Sequence, residues 1–114
     1  VTPTGMDLAL LLEQLDGNTE LRAELAVMML DSYETQLAII KQSLAQGNIS
    51  ALQQATHALK GSMGVFPMDA ANAHIARLDN MAQQRKTEGF ADQLARLETE
   101  MAIVLPQLRQ CLER

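Results

Sequence analysis

The chain has 114 residues and a formal net charge of −5, because nine Lys and Arg stand against fourteen Asp and Glu. This length predicts one domain with a core of its own. The acidic balance argues against a partner bound through its phosphates, whether nucleic acid or an anionic membrane. Aromatic residues, at 3% of the chain, are too few for a base-stacking surface or a β-sandwich core. Helix-forming Leu, Ala, Met, Gln and Glu are common and favour an all-α fold.

Cysteine content and hydropathy predict the compartment. The single cysteine, Cys111, can form no internal disulfide, which fits a reducing compartment. No apolar run approaches the roughly 18 residues that a membrane-spanning helix needs, and no basic leader followed by an apolar stretch opens the chain. We therefore expect a cytoplasmic domain. The opening residues 1–4, Val-Thr-Pro-Thr, favour excision of this domain from a longer chain.

The predicted helices, taken in chain order, are divided by Gly, Pro and Asn positions. After an irregular start through Gly5, a short helix spans residues 7–15 with Asp7 as its N-cap. Four longer helices follow, at residues 19–46, 50–65, 68–87 and 90–112. Ser50 is predicted to cap the second of these. Pro106 is predicted to kink the last, because proline lacks the amide hydrogen of a helical bond.

The apolar pattern predicts how these helices pack. Apolar residues recur at spacings of three and four along the longer helices, which is typical of helices with one buried face. Neither an alternating strand pattern nor an internal repeat appears. Helices joined by short connections pack antiparallel. The sequence therefore predicts a single domain over residues 1–114, an elongated up-and-down four-helix bundle with a short extra N-terminal helix.

The helix over residues 50–65 has two contrasting faces. At about 100° per residue, one face collects apolar side chains that we expect in the core. These residues are Leu52, Ala55, Leu59, Met63 and Phe66. His57 lies roughly 160° from the middle of that face, so its ring is predicted to be exposed.

The face that carries His57 is unusual for a solvent face. The residues that share its side of the helix are Gln53, Lys60, Gly61 and Gly64. Each glycine inside a helix costs roughly 1 kcal/mol relative to alanine. We expect the two glycines to clear room over the imidazole for a partner molecule, although close packing of a neighbouring helix would also explain them.

An exposed histidine with a nearby cation suggests phosphate chemistry. The imidazole offers an unprotonated nitrogen near neutral pH, since the ordinary pKa of histidine is about 6.5. A phosphoryl group on that nitrogen adds charge and acceptor oxygens. Lys60 can offset part of that charge through a charge-assisted hydrogen bond. The arrangement is therefore suited to carrying phosphate between proteins.

The run from His57 to Ser62, H-A-L-K-G-S, matches the H-x-L-K-G-S core of histidine-containing phosphotransfer (HPt) domains. The sequence resembles that family of bacterial phosphorelays over nearly its whole length. The resemblance implies a four-helix bundle in which a receiver-domain aspartate phosphorylates His57, and His57 passes the group to another receiver aspartate. It implies no autonomous kinase activity and no cofactor held by this domain, because Mg²⁺ belongs to the partner receiver. The partners implied are receiver domains of response regulators or of a hybrid sensor kinase.

The resemblance also implies which residues form the site and where this chain departs from the family. Members often carry Gln or Glu 22 residues after the histidine, where it can orient the ring; here that residue is the shorter Asp79. Many have glycine ten residues after it, where this chain has Pro67, so we expect the connection to the next helix to differ in shape. The expected catalytic residues are His57, Lys60 and Asp79, and the expected binding residues are Gln53, Gly61, Ser62 and Gly64.

Other interpretations of the same sequence remain open. The domain is either a free-standing shuttle or a module of a hybrid sensor kinase, which would place it on the cytoplasmic part of a membrane-anchored protein. One alternative is an adaptor that binds a receiver-like partner without phosphorylation. A weaker one is a metal- or haem-binding bundle that uses His57 and His74, although His74 is better explained as a packing residue. The seven methionines are better explained as core filling than as a binding surface, and an adaptable docking patch of Met28, Met29, Met63 and Met68 near the histidine is the alternative.

Overall fold

Five helices make up the protein in a computed structural model that describes residues 5–112. They are α1 (Leu8–Gln14), α2 (Thr19–Gln46), α3 (Ile49–Met63), α4 (Asp69–Gln83) and α5 (Phe90–Gln110). No strand occurs within residues 5–112. The predicted all-α fold with a short first helix is confirmed. The irregular start predicted before Gly5 lies outside the described residues.

The four longer helices form the bundle. α2 packs against α3, α3 against α4, α4 against α5, and α5 returns to α2, while α1 lies on α2. The described part of the molecule measures 43 × 29 × 19 Å, so the predicted elongated shape is confirmed. In this ring of helices the α3–α4 seam lies opposite the α2–α5 seam.

The helix starts are set by short polar caps. Asp7 caps α1 as predicted. The predicted cap of α3 was wrong by two residues: the side chain of Asn48, not Ser50, accepts the amide hydrogen of Ala51 at 3.1 Å. Gly47 ends α2 in the left-handed conformation, with φ of 68°, which glycine adopts without a steric penalty. The turn from α2 to α3 is therefore only two residues long.

Three helices end earlier than predicted. α3 ends at residue 63 rather than 65, α4 at 83 rather than 87 and α5 at 110 rather than 112. Arg85 explains the end of α4, because it takes a positive φ of 59° and its amide bonds back to Ala82 while that of Lys86 bonds to Met81. These two bonds form a Schellman closure without the usual glycine. α5 continues through Pro106 to its end, and the kink at that position stays a prediction.

The burial of one face of α3 in the core determines which face of this helix is exposed. All five residues predicted to face inward from this segment are at most 5% exposed. Leu52, Leu59 and Met63 are fully buried. Burying a side chain of this size stabilises a fold by about 1.5–3 kcal/mol, so this face holds α3 in one rotation about its axis. The opposite face of the helix is thereby fixed toward solvent.

Tyr33 on α2 is the only tyrosine of the chain and is 4% exposed. Its burial raises the pKa of the hydroxyl from 10.0 to about 12, and the negative charge of Glu98 adds to the shift. The folded protein therefore holds a phenol proton that the unfolded chain releases at lower pH. Because of this difference in pKa, the free energy of unfolding depends on pH in the alkaline range.

We expect the free energy of unfolding to fall as the pH rises from 10.0 to about 12. The contribution of Tyr33 is complete below the pKa of the unfolded residue and is lost as the pH rises toward the folded one. Urea titrations across this range measure the loss, and a Tyr33→Phe variant should lack this component. The absorbance of tyrosinate reports the folded pKa directly. Ionisation of the folded protein at the same pH as the unfolded chain would contradict the prediction.

Candidate functional site

His57 lies on the outer face of α3, and 78% of its side chain is exposed. Leu59, two residues on, is fully buried. The predicted exposure of the imidazole is therefore confirmed, and it follows from the rotation that the core imposes on the helix. A second protein can approach the ring without any rearrangement of the bundle.

A nearly buried carboxylate lies beside the histidine. Asp79 on α4 keeps only 8% of its side chain exposed, and its Oδ2 is 3.8 Å from His57 Nδ1 and 3.8 Å from Lys60 Nζ. The structure thus brings together the three side chains that the sequence suggested as catalytic. Nδ1 is the ring nitrogen nearest to Asp79, and the imidazole as a whole is largely exposed.

The second oxygen of Asp79 has partners that the sequence did not reveal. Its Oδ1 lies 3.3 Å from the Thr56 hydroxyl and accepts a hydrogen bond from Gln83 Nε2 at 3.1 Å. Gln83 is exposed, whereas Thr56 is 1% exposed. A signal for Gln83 existed, since it follows Asp79 by four residues on α4 and so shares its face.

The two glycines of the site, Gly61 and Gly64, have different structural roles. A Cβ placed on Gly61 would meet no atom within 4 Å, so close packing of a neighbouring helix does not explain this glycine. A Cβ on Gly64 would lie 3.0 Å from the carbonyl oxygen of Lys60, which is a tight contact. Gly64 is thus explained by the end of α3, where it is the C-cap. Gly61 leaves the surface one turn beyond His57 bare.

Two residues expected to contact a partner, Gln53 and Ser62, also make contacts between helices. Gln53 Nε2 donates to the carbonyl oxygen of Ala82 at 3.0 Å and so joins α3 to α4. Ser62 Oγ lies 2.9 Å from Ser32 Oγ on α2 and 3.3 Å from the carbonyl oxygen of Leu59. Both side chains are half-buried. They fix the position of α3 between its neighbours.

A depression of about 550 Å³, the polar groove, lies on one side of the histidine. Its lining residues are Ser50, Gln53, Gln54, His57, Asp79 and Gln83. Three of these are glutamines, so the groove is rich in amide donors and acceptors. It contains no positively charged side chain apart from the titratable histidine.

A second depression of about 360 Å³, the apolar groove, lies between α2 and α3 beside Gly61. Met28 and Val65 are its most exposed members, at 65% and 67%. Its remaining lining residues are Leu25, Met29, Ser32, Gly61, Ser62 and Phe66. Exposed apolar groups clustered in this way mark interaction surfaces more often than scattered ones do.

Three of the four methionines near this surface belong to the core, as core filling predicts. Met63 and Met68 are fully buried, and Met29 is 2% exposed. Met28 is 65% exposed and, with Met29 beneath it, lines the apolar groove.

Hydrogen bonds from residues outside it hold the connection between α3 and α4 in place. The carbonyl oxygen of Pro67 accepts the amide hydrogen of Asp7 at 2.9 Å, and Asn72 Nδ2 donates to the carbonyl oxygen of Phe66 at 3.0 Å. The segment that leads into α1 therefore holds this turn. Phe66, which is 5% exposed, lines the apolar groove from that turn.

The second histidine of the chain, His74, lies apart from this site. His74 is half-buried, and its Nδ1 is 2.8 Å from Gln93 Nε2 across the α4–α5 interface, as expected of a packing residue. Among residues 5–112, no three His, Cys, Asp or Glu side chains are grouped as metal ligands. Within the same range, no helix is both long and apolar enough to cross a bilayer.

Comparison with known proteins agrees with this geometry. A profile of the Hpt domain matches residues 24–114, which include nearly all of α2 and the whole of the site. No curated protein and no solved structure matches the chain. Domains of this family take part in histidine phosphotransfer in phosphorelays and interact with receiver domains. Since the match covers well over half of the sequence, the chain belongs to the Hpt domain family.

Proposed function

We propose that His57 carries the phosphoryl group, accepting it from a receiver-domain aspartate and passing it to the aspartate of another receiver. The observation that carries this proposal is the 78% exposed ring whose Nδ1 lies 3.8 Å from Asp79 Oδ2, which makes Nε2 the nitrogen available for the reaction. The proposal covers a free-standing shuttle and a module of a hybrid sensor kinase, in the cytoplasm in either case. Mg²⁺ in this scheme belongs to the receiver, where it neutralises phosphoryl oxygens.

The transfer balances with groups that this site supplies. The neutral ring holds its proton on Nδ1, toward Asp79, and the lone pair of Nε2 attacks the phosphorus of the aspartyl phosphate. The N–P bond forms as the bond from phosphorus to the receiver's carboxyl oxygen breaks, and the electron pair leaves with that carboxylate. The ring keeps its proton and gains positive charge, which the Asp79 carboxylate at 3.8 Å offsets. Delivery to the second receiver is the reverse of this step.

Lys60 is suited to exchange partners during the transfer. Its ammonium group lies 3.8 Å from Asp79 Oδ2, and 55% of its side chain is exposed. The flexible side chain of lysine lets the ammonium group move. A phosphoryl group on His57 can therefore bind the Lys60 ammonium group in place of Asp79. The carboxylate is then left to the positively charged ring.

We expect Lys60→Ala to slow phosphoryl transfer about three- to tenfold, which corresponds to one partly exposed charge-assisted hydrogen bond. Single-turnover transfer from a labelled receiver measures the rate. Lys41→Ala is the matched control, because Lys41 pairs with Glu98 at 3.2 Å on the opposite side of the bundle. Equal rates for the two variants would remove Lys60 from the site.

The surface around His57 supports docking of a receiver. The apolar groove offers Met28 and Val65 beside the bare backbone of Gly61. A partner that covers this groove can bring its own backbone close to α3, because no side chain stands at Gly61. Contact there would also exclude water from the N–P bond.

Incubation with phosphorylated receivers tests the proposal. Each receiver domain of the source organism is loaded with radiolabelled phosphate, mixed with this domain and separated from it. The proposal requires label on this chain that survives alkali and is lost in acid, since a phosphoramidate has that stability and a phosphate ester does not. Label that survives acid, or no label from any receiver, would refute it.

A further inference from the structure

The Asp79 carboxylate has its two oxygens in different surroundings. Oδ1 lies within hydrogen-bond distance of the Thr56 hydroxyl, at 3.3 Å, and of Gln83 Nε2, at 3.1 Å. Oδ2 makes no contact as short and faces His57 Nδ1 and Lys60 Nζ, each at 3.8 Å. The structural donors thus occupy one oxygen, and the groups of the transfer chemistry share the other.

Each of the two donors is itself held in place. The Thr56 side chain is 1% exposed, and its one hydroxyl hydrogen is shared among three acceptors, the carbonyl oxygens of Leu52 at 3.0 Å and Gln53 at 3.2 Å and Asp79 Oδ1 at 3.3 Å. The Gln83 amide has two hydrogens, and it reaches both Asp79 and the carbonyl oxygen of Gln53, at 3.3 Å. Since a fixed donor fixes its acceptor, the carboxylate cannot turn freely about its last torsion.

The short side chain of Asp79 makes this restraint consequential. Aspartate has one methylene fewer than glutamate, so it cannot follow a ring that moves outward. At 3.8 Å a small rotation decides whether Oδ2 meets the Nδ1 proton or loses it. An imidazole without an acceptor at Nδ1 also populates the tautomer with the proton on Nε2. In that tautomer Nε2 has no free lone pair with which to attack phosphorus.

We propose that Thr56 and Gln83 are positioning residues that hold Asp79 Oδ1, so that Oδ2 keeps the proton of His57 on Nδ1 and leaves Nε2 free to react. The inference rests on the proposed function for its role in transfer, but its effect on the ring exists without phosphate. Neither residue touches the phosphoryl group. Both act through Asp79 on the tautomer of His57.

Variants that delete one donor at a time test the inference. Thr56→Val keeps the shape of the buried side chain and removes its hydroxyl, and Thr56→Ser restores a hydroxyl. Gln83→Leu removes the exposed amide. Gln84→Leu is the matched control, since Gln84 Nε2 bonds only to Asn80 Oδ1, at 3.1 Å. Nitrogen NMR of the unphosphorylated proteins measures the fraction of each His57 tautomer.

We expect the Nε2-protonated fraction to rise in Thr56→Val and Gln83→Leu and to stay unchanged in Thr56→Ser and Gln84→Leu. The maximal transfer rate should fall about tenfold in the first two, as loss of one hydrogen bond to a charged group implies. The KM for the receiver should not change. Far-ultraviolet circular dichroism and urea midpoints identify a variant that has simply lost its fold, in which case Gln83→Leu, at the surface, carries the test.

The outcomes separate this inference from the function on which it rests. Unchanged tautomer fractions in both deletion variants would overturn the inference, even if wild-type protein carries phosphohistidine. A shifted tautomer fraction in a protein that accepts no phosphate from any receiver would support the positioning of Asp79 by Thr56 and Gln83, and it would refute the transfer function. A slower rate with an unchanged tautomer would also overturn the inference, because the effect would then not pass through the ring.

Discussion

We expect His57→Gln to abolish acid-labile labelling of this chain by phosphorylated receivers. Glutamine keeps the size and polarity of the side chain, but the lone pair of its amide nitrogen is delocalised and does not attack phosphorus. The ring is 78% exposed, and its contact with Asp79 at 3.8 Å is longer than a hydrogen bond, so the substitution should leave the fold intact. Transfer of radiolabel, with circular dichroism as the check on folding, measures both.

His74→Gln is the control for this experiment, since the chain has only two histidines. His74 packs between α4 and α5 with Gln93 as its partner, and the variant should be labelled like the wild type. Label that persists in His57→Gln would assign the phosphate elsewhere. Loss of label in a folded His74→Gln protein would contradict the assignment equally. If wild-type protein binds a receiver but never becomes labelled, the adaptor interpretation replaces the proposal.

Leu59→Ala should lower the free energy of unfolding by about 2–5 kcal/mol, the range for a leucine truncated in a core. Leu59 is fully buried and lies two residues from His57 on the inward face of α3. The loss is large beside a total stability of about 5–15 kcal/mol for a domain. Urea unfolding measures it from the shift of the midpoint.

Ala58→Gln is the matched control for Leu59→Ala, because Ala58 is the exposed neighbour on the same helix. A surface change of this kind alters stability by about 0.5 kcal/mol or less. Below the unfolding transition, Leu59→Ala should still accept phosphate in its folded fraction, since the residue supports the helix and not the chemistry. A loss under about 1 kcal/mol, the typical effect of an average substitution, would show that the core face of α3 has been misidentified.

Much of the fold follows from the order of residues in the chain. The buried face of α3 repeats every three to four residues, so the rotation of that helix and the exposure of His57 could be predicted from periodicity alone. The start of the helix could not. Asn48 and Ser50 both have side chains that cap helices, and only the left-handed turn at Gly47 decides between them. The end of α4 was equally hidden, because Arg85 takes a conformation usually left to glycine.

The candidate site was predictable to the extent that it lies on one helix or matches a known spacing. Lys60 is one turn from His57, and Asp79 was expected from its family position. Thr56 was missed because its contact with Asp79 depends on the register between α3 and α4, which no single helix determines, whereas Gln83 could have been predicted from its position four residues after Asp79. The contact between Ser62 and Ser32 on α2 was equally unpredictable, because it depends on how α2 and α3 pack.

The exposure of the His57 ring has a consequence for the kinetics of the proposed relay. If one ring nitrogen both receives and delivers the phosphoryl group, donor and acceptor receivers compete for the same surface and are not bound together. The reaction would then follow a ping-pong scheme, in which the first product departs before the second substrate arrives. The direction of flow would be set by which receiver is more abundant and by the relative energies of the two acyl phosphates, so that the same domain would serve either direction.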